Sequence, residues 1–203
     1  MKKILNIVTS INGSNSFSIK LSESILEKLQ TTYPGSEITT RNLAHHPFPH
    51  LEESFLKALF SPEEVRTPEH KAAIEHSDEA IKELLDADII VIGVPVYNFG
   101  IPSTLKSWID HIVRAGKTFN YSTQGFPEGL VRNKKVYLAI ASGAVFSEGP
   151  YKAYDFVEPY LKLSLGFIGM KDVEVFRVEG TRMAEAKDTA WTKASDKVAE
   201  HAY

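Results

Sequence analysis

The chain has 203 residues, which is enough for one sizeable α/β domain and too few for two comfortable ones. Its formal net charge of −3 and its isoelectric point near 6.2 argue against a nucleic-acid-binding protein, because such proteins normally carry a basic surface. The chain contains no cysteine, which excludes disulfides, thiolate nucleophiles, iron–sulfur clusters and cysteine-ligated zinc.

Strand-like and helix-like patterns alternate through the first half of the chain. A β-branched run over residues 4–9 predicts a buried strand, and helically spaced apolar residues over 16–30 predict a helix. Residues 37–43 predict a second strand, and residues 68–87 predict a second helix. The stretch between them, residues 44–67, contains three prolines and is predicted as a long loop, a kind of segment that often lines a site or an interface.

The second half of the chain continues the alternation. The unbroken aliphatic run at residues 88–94 indicates a strand that is buried on both faces, as in a parallel sheet between two helix layers. Pro102 can occupy the first turn of the next helix, whose apolar residues run to Val113. The remaining predicted elements are a long loop at 115–134, strands at 135–141 and 173–178, and helices at 154–165 and 183–199. Together they predict a single α/β domain over residues 1–203, a doubly wound, mostly parallel five-stranded sheet with helices on both faces.

The apolar runs of the chain are short. The run that follows Met1-Lys2-Lys3 breaks after about five residues, which is too short for the core of a signal peptide. No apolar stretch approaches the length of a membrane span. We therefore expect a soluble cytoplasmic protein that does not bind membranes.

A small polar loop follows the first predicted strand, where an open α/β sheet binds ligands. Residues 10–18 contain four serines, two asparagines and a glycine just before a helix, and they offer neutral donors and a favourable helix dipole to a phosphate. The loop lacks the lysine of a nucleotide-triphosphate loop and the G-x-G-x-x-G dinucleotide signature. An ordinary N-cap turn explains the same residues equally well.

Two further loops follow strands at the same predicted edge. Residues 95–102 place Tyr97 and Phe99 between prolines, with Asn98 and Gly100 beside them, which favours a stiff surface for a flat heteroaromatic ring. The alternative is that these aromatic side chains plug into the core. Residues 141–147 are mostly small and would let a backbone approach a ligand closely, although a plain turn is an equally good explanation. The three loops together describe a phosphate pocket beside a planar ring, which is typical of a flavin mononucleotide site.

One stretch of the sequence is specific enough to indicate a family. It comprises Val94-Pro95-Val96-Tyr97-Asn98-Phe99-Gly100-Ile101-Pro102, Leu105-Lys106 with Trp108-Ile109-Asp110, Arg114-Ala115-Gly116-Lys117-Thr118-Phe119-Asn120-Tyr121 and Gly125-Phe126-Pro127-Glu128-Gly129-Leu130. These segments resemble the FMN-dependent NADH azoreductases, also called FMN-dependent NADH:quinone oxidoreductases, of the flavodoxin-like superfamily. The similarity covers essentially the full length of the chain.

The resemblance implies an enzyme that binds FMN without a covalent bond, takes a hydride from NADH, and reduces quinones and aromatic azo compounds in a ping-pong reaction. It implies no catalytic side chain, because the flavin carries the chemistry, and a homodimer whose partner subunit helps to wall each flavin site. Carried over position by position, the flavin contacts are Ser10, Ser16, Phe17, Ser18, Val96, Tyr97, Asn98, Phe99, Ser142, Gly143 and Ala144. The last of these loops departs from the family pattern, since it is one residue shorter and lacks an arginine that many relatives carry. We expect Phe119, Tyr121 and Phe126 to line the acceptor pocket.

Other functions fit the sequence less well. His45, His46 and His50 lie in a proline-rich segment without regular ligand spacing, so no metal site is predicted. No G-x-S-x-G motif is present, which disfavours a serine hydrolase. Three alternatives stay open: an NAD(P)H:FMN reductase, a flavodoxin-type electron carrier without turnover of its own, and a binding module without flavin.

Overall fold

A five-stranded parallel sheet forms the centre of the computed structural model, which describes all residues from 1 to 203. In chain order the elements are β1 (Lys3–Val8), α1 (Phe17–Thr32), β2 (Glu37–Asn42), α2 (Glu53–Phe60), α3 (Pro68–Asp86), β3 (Ile89–Pro95), α4 (Ser103–Ile112), β4 (Phe119–Tyr121), β5 (Pro127–Gly129), β6 (Lys135–Ala141), α5 (Val157–Phe167), β7 (Asp172–Val178) and α6 (Ala190–Glu200). The strand order is β2-β1-β3-β6-β7, and every pair in this sheet is parallel. This is the flavodoxin-like order, and it confirms the predicted doubly wound sheet.

Three helices cover one face of the sheet and two cover the other. Successive residues of β3 point to opposite faces, so Ile90 and Ile92 pack toward α3, α4 and α5, whereas Ile89 and Val91 pack toward α1 and α6. All seven residues of β3 are buried, as the aliphatic run predicted. None of the helices combines the length and the apolar character that crossing a lipid bilayer requires.

Close packing of α1 against β3 brings the start of that helix to the edge of the sheet. A methyl group placed on Gly93 would lie 2.7 Å from Oγ of Ser22 and 3.2 Å from the carbonyl oxygen of Ser18. The absence of a side chain at Gly93 therefore lets the first turns of α1 rest directly on the strand. The packing positions the loop between β1 and α1.

The prediction of a loop over residues 44–67 is wrong in part, because these residues contain helix α2. Phe55 and Ala58 of this helix are buried against Ile74 of α3. The helix has only eight residues and lies in a segment with nearby prolines, so its apolar pattern is too short to be recognised from the sequence.

The predicted loop at residues 115–134 is also more ordered than expected. It contains the antiparallel hairpin of β4 and β5, with Phe119 paired to Gly129. The hairpin rests on the turn after α5, since a methyl group on Gly129 would lie 2.2 Å from the backbone nitrogen of Gly169. Three-residue strands leave almost no alternating pattern in a sequence, which explains the miss.

Two predicted helices begin later than expected. Helix α5 starts at Val157 because the Asp155 carboxylate accepts the backbone N–H groups of Val157 (3.1 Å) and Glu158 (3.2 Å), and a short 3₁₀ turn precedes it. Helix α6 starts at Ala190, and residues 181–189 form turns instead. The backbone at the start of those turns is bonded to the loop after β6, through Arg182 N–H to the Gly143 carbonyl (3.0 Å).

Candidate functional site

A cleft of about 540 Å³ opens at the carboxyl edge of the sheet. Its lining residues are Ser10, Ile11, Asn12, Asn15, Ser16, Phe17, Pro95, Val96, Tyr97, Ala141, Ser142, Gly143, Thr181 and Arg182. They come from the ends of β3 and β6, the start of α1, and the loops after β1, β3, β6 and β7. The volume lies within the usual range for a small-molecule or cofactor site, and the position is the one at which open α/β sheets bind ligands.

The loop after β1 presents polar groups to this cleft. Ser16 is the N-cap of α1 and accepts the backbone N–H of Ile19 at 3.4 Å, while its hydroxyl lies 3.0 Å from that of Ser18. Ser10 accepts the N–H of Asn12 at 3.3 Å. First-turn N–H groups have no acceptor within their own helix, so this loop combines oriented hydroxyls with a partially positive helix end. The arrangement suits a phosphate.

The loop after β3 makes a tight turn with an unusual backbone. Tyr97 and Gly100 exchange two backbone hydrogen bonds, of 3.0 and 2.9 Å, around Asn98 and Phe99. These two central residues have φ angles of +48° and +67°, the left-handed values that a type I′ turn requires. Asparagine tolerates that conformation, but a phenylalanine there costs free energy. Strain of this kind persists where the surrounding structure enforces it, and it often marks a binding site.

The strained turn carries an exposed aromatic side chain. Phe99 is 54% exposed, and its ring centroid lies 6.2 Å from those of Phe146 and Tyr154. The prediction that the aromatic side chains of this loop are available at a strand end therefore holds for Phe99. Its ring joins an aromatic cluster at the rim of the cleft.

An ionic network holds the segment that carries Phe146. The Glu179 carboxylate accepts the backbone N–H groups of Phe146 (2.8 Å) and Ser147 (3.0 Å), and it also accepts a hydrogen bond from Arg177. Arg177 in turn bridges Asp155 and Glu158. Burial disfavours the charged guanidinium, but the acidic neighbours outweigh it, so the pKa of Arg177 is raised. The network ties β7 to the start of α5 and to the aromatic rim.

The loop after β6 is short and is bound to the loop after β7. Ser142 donates its hydroxyl to the carbonyl of Ala144 at 2.7 Å, and Thr181 donates its hydroxyl to the carbonyl of Ser142 at 3.0 Å. A Cβ atom at position 143 would lie 3.2 Å from Cδ of Arg182, so glycine leaves room for the arginine stem. The result is a flat wall built from two loops.

The structure brings most of the predicted cofactor contacts together. Those that line the cleft are Ser10, Ser16, Phe17, Val96, Tyr97, Ser142 and Gly143. Ser18, Asn98, Phe99 and Ala144 adjoin these residues in the same loops. Thr181 and Arg182 were not predicted as site residues, because they lie in the short connection between the predicted strand at 173–178 and the predicted helix at 183–199. The glycine at 180, with a φ of +74°, was the available signal that the chain turns there before any helix begins.

The predicted acceptor-pocket residues do not line this cleft within the chain. Phe119 is only 8% exposed and packs on Phe167 with ring centroids 4.7 Å apart, so its ring belongs to the core and does not fit the predicted role. Tyr121 and Phe126 are 65% and 67% exposed on the hairpin. Both remain available to a ligand or to another chain.

Comparisons with known proteins place the fold and the cleft in context. A family model described as the flavodoxin-like fold matches residues 2–202. The chain is 46% identical over 201 residues to an FMN-dependent NADH:quinone oxidoreductase of Herminiimonas arsenicoxydans, covering 98% of each chain. It is 45% identical over 203 residues to one of Nostoc sp., again covering 98% of each.

Solved structures show the same likeness. An azoreductase of Bacillus anthracis str. Sterne matches with a TM-score of 0.90 and 29% identity, covering 98% of each chain. An FMN-dependent NADH-azoreductase of Bacillus anthracis str. Ames Ancestor, solved in complex with FMN, matches with a TM-score of 0.84 and 26% identity, also covering 98% of each chain.

Proposed function

The chain belongs to the flavodoxin-like fold family, and we propose that it is an FMN-dependent enzyme that passes hydride from NADH to quinones and aromatic azo compounds. The names of relatives that are 46% and 45% identical over nearly the whole chain support the quinone activity. The azoreductases among the solved structures support the azo activity. In this proposal residues 1–203 act as one FMN-binding domain in the cytoplasm, where NADH is available.

The observation that carries the proposal is the meeting of two specialised loops in one cleft. The hydroxyl-rich start of α1 offers neutral donors to a phosphate, and the strained turn at Asn98 and Phe99 sets an aromatic edge beside it. A flavin mononucleotide has these two parts, a terminal phosphate and a planar ring. The chain carries no dinucleotide fingerprint that would fit FAD, so the residues present suit FMN.

The residues divide into two groups by the part of FMN that they would hold. Ser10 and residues 16–18 would bind the phosphate, and residues 96–99 together with 142–144 would border the ring. When bound, FMN supplies the chemistry of accepting hydride from NADH and delivering it to the acceptor. The protein's contribution is therefore position and electrostatics.

The lining of the cleft offers the reaction few acid or base groups. It contains no carboxylate, histidine, lysine or cysteine, and Tyr97 is its one phenol. Protons for the reduced acceptor would come from water: a quinone takes one hydride and one proton, and an azo bond takes two of each before it separates into two amines. We propose that NAD⁺ leaves the cleft before the acceptor enters, which is a ping-pong order.

The experiment that tests the function begins with the colour of the purified protein. We expect a yellow protein that releases FMN, not FAD, on denaturation, and that oxidises NADH when a quinone or an azo dye is added. FMN without NADH turnover would indicate an electron carrier. Turnover that depends on free FMN as the acceptor would indicate an NAD(P)H:FMN reductase. Failure to bind flavin after reconstitution would refute the proposal.

A further inference from the structure

The carboxylate of Glu179 joins the loops after β6 and β7. One of its oxygens accepts the consecutive backbone N–H groups of Phe146 (2.8 Å) and Ser147 (3.0 Å). Neither N–H group has another acceptor in the chain. Successive backbone N–H groups that point at one oxygen form a small anion site, and here a side chain of the neighbouring loop fills that site.

The ion pair with Arg177 does not explain the position of Glu179. Arg177 already pairs with Asp155 and with Glu158, which lies 2.6 Å from its Nη2. Glu179 lies 3.2 Å from Nη1, which is long for a charge-assisted hydrogen bond, whereas its contacts with the loop after β6 have ordinary lengths. Two other carboxylates already outnumber the single guanidinium, so a third is not needed to neutralise it. The main contacts of Glu179 are therefore the backbone N–H groups.

Phe146 depends on this contact because the main cores of the protein do not hold its side chain. The side chain is only 7% exposed, but it belongs to neither of the two large apolar clusters that flank the sheet. Its aromatic neighbours are Phe99 and Tyr151, with ring centroids 6.2 and 6.4 Å away, and both of these residues are exposed. The position of the Phe146 ring is thus set largely by its backbone, which Glu179 holds.

Phe146 in turn supports the strained turn after β3. The rings of Phe99 and Phe146 meet edge to face, with 84° between their planes, which is a preferred geometry for aromatic pairs. Phe99 has a left-handed φ of +67°, and such a conformation persists where the surrounding structure enforces it. A series of contacts therefore connects Glu179, through Phe146, to Phe99.

We propose that Glu179 is a positioning residue for the ring end of the cofactor site. Its carboxylate fixes Phe146, and Phe146 supports Phe99. The assignment rests on the proposed function, in which residues 96–99 and 142–144 border the flavin ring. Glu179 itself does not line the cleft, so its effect reaches the cofactor through the two aromatic residues. Loss of the carboxylate should disturb the ring end of the site and leave the phosphate end unchanged.

The test compares FMN with riboflavin, which has the same ring and no phosphate. Both are titrated into flavin-free Glu179→Ala, with quenching of flavin fluorescence as the readout, and the absorption spectrum of the bound flavin is recorded. We expect both affinities to fall by the same factor, about threefold to tenfold, as for the loss of one aromatic contact, and the flavin bands to shift. Glu179→Gln should recover most of both effects, because its amide oxygen can accept the same two N–H groups.

The matched control is Glu158→Gln, which removes a carboxylate from the same arginine and makes no contact with the loop after β6. It should unfold at lower urea concentration and bind both flavins with unchanged affinity and spectrum. Glu179→Asp keeps the charge and withdraws the carboxylate from the loop. It should show the same loss as Glu179→Ala, which keeps the test open if the alanine variant does not fold.

A double variant tests whether Glu179 acts through Phe146. Phe146→Leu should reproduce the loss seen in Glu179→Ala, and the combined variant should lose no more than Phe146→Leu alone, because both changes remove the same contact. Additive losses would contradict this order of contacts and overturn the assignment.

Three other results would overturn the assignment and leave the proposed function intact. A loss confined to FMN would place the effect at the phosphate. Equal losses in Glu158→Gln would reduce it to general destabilisation. Unchanged affinity and spectrum in Glu179→Ala would show that the ring end does not need the carboxylate. A wild-type protein that binds neither flavin would refute the proposed function and, with it, the assignment.

Discussion

Ser16 and Phe99 occupy opposite ends of the proposed cofactor site, so substituting them should affect different properties of the enzyme. Removing the Ser16 hydroxyl deletes a donor to a charged acceptor, a loss of about 1.5–3 kcal/mol. Ser16→Ala should therefore lower FMN affinity about tenfold or more, and it should barely change the rate of flavin reduction by NADH at saturating FMN. Phe99→Ala should instead shift the flavin absorption bands and slow that reduction. An FMN titration and stopped-flow absorbance check both variants.

The control for Ser16 is Ser24→Ala, which removes a hydroxyl from the same helix that bonds only to the carbonyl of Lys20. It should bind FMN as the wild type does. Ser16→Ala also removes an N-cap and should cost about 1 kcal/mol of unfolding free energy, which chemical denaturation measures separately. Normal FMN binding by Ser16→Ala, together with an unchanged spectrum and rate in Phe99→Ala, would contradict the cofactor geometry.

His111 is a buried histidine that joins α4 to the segment before α2. Its Nε2 donates to the carbonyl of Pro49 at 3.0 Å, its ring lies 4.8 Å from that of Phe55, and its Nδ1 has no partner. Burial lowers the pKa of His111 below its ordinary value of 6.5, against the opposing effect of the Pro49 hydrogen bond. A proton on Nδ1 would be buried without an acceptor, so the folded protein favours the neutral ring.

The lowered pKa makes stability depend on pH. The unfolded chain takes up a proton at His111 more readily than the folded chain does, so the stabilisation is complete above about pH 6.5 and is lost as the pH falls below that value toward the lowered pKa of the folded state. We expect the unfolding free energy from urea titrations to fall toward pH 5, with at most about 1.4 kcal/mol per pH unit from this group. His111→Gln should flatten the profile, whereas His45→Gln, at an exposed histidine, should keep it. Identical slopes in wild type and His111→Gln would contradict the assignment.

At the scale of elements, the contact between α1 and β3 sets the position of the phosphate loop. Gly93→Ala would drive a methyl group against Oγ of Ser22 and the carbonyl oxygen of Ser18. Overpacking of this kind typically costs about 1–3 kcal/mol. We expect the variant to unfold at lower urea concentration and to bind FMN more weakly, because the first turn of α1 must move away from the strand.

A double variant separates packing from other causes. Ser22→Ala removes the nearest of the clashing atoms together with its hydrogen bond to the Ser18 carbonyl. Gly93→Ala combined with Ser22→Ala should therefore lose less stability than the sum of the two single changes, since the two residues are in contact. Additive losses measured by urea denaturation would show that the helix is not held in the way described.

The elements also differ in how far the sequence could predict them. Strand β3 was predictable because complete burial leaves an unbroken aliphatic run, and the loops after β1 and β3 were predictable because hydroxyls and aromatic residues follow strands there. Helix α2 and the β4–β5 hairpin were not, because elements of eight and three residues carry too little periodicity. Thr181 and Arg182 were not predicted in the cleft lining, because their position there depends on a contact between two loops that are 39 residues apart in sequence, Ser142 and Thr181.

For the whole molecule, the hairpin of β4 and β5 presents an exposed apolar surface that a second chain would cover. Tyr121 and Phe126 are 65% and 67% exposed, and Leu130 is 37% exposed beside them. Large apolar side chains clustered on one exposed element commonly mark an interaction site. The net charge of −3 gives only weak repulsion between two copies of the chain. These observations favour a homodimer in which the hairpin contacts the other subunit.

The dimer is tested by light scattering at micromolar concentration, where we expect twice the 22.7 kDa mass of one chain. Phe126→Asp would place a charge in the buried contact, and burial of an unpaired charge is costly enough to shift the equilibrium toward monomer. The control is Leu85→Asp, which adds the same charge to a 43% exposed leucine on α3, outside the hairpin, and should stay dimeric. If the partner subunit lines part of the cofactor site, Phe126→Asp should also lose activity as the dimer dissociates, and the activity should recover at higher protein concentration.

A wild-type mass of 22.7 kDa would contradict the dimer, and a dimeric Phe126→Asp would place the interface elsewhere.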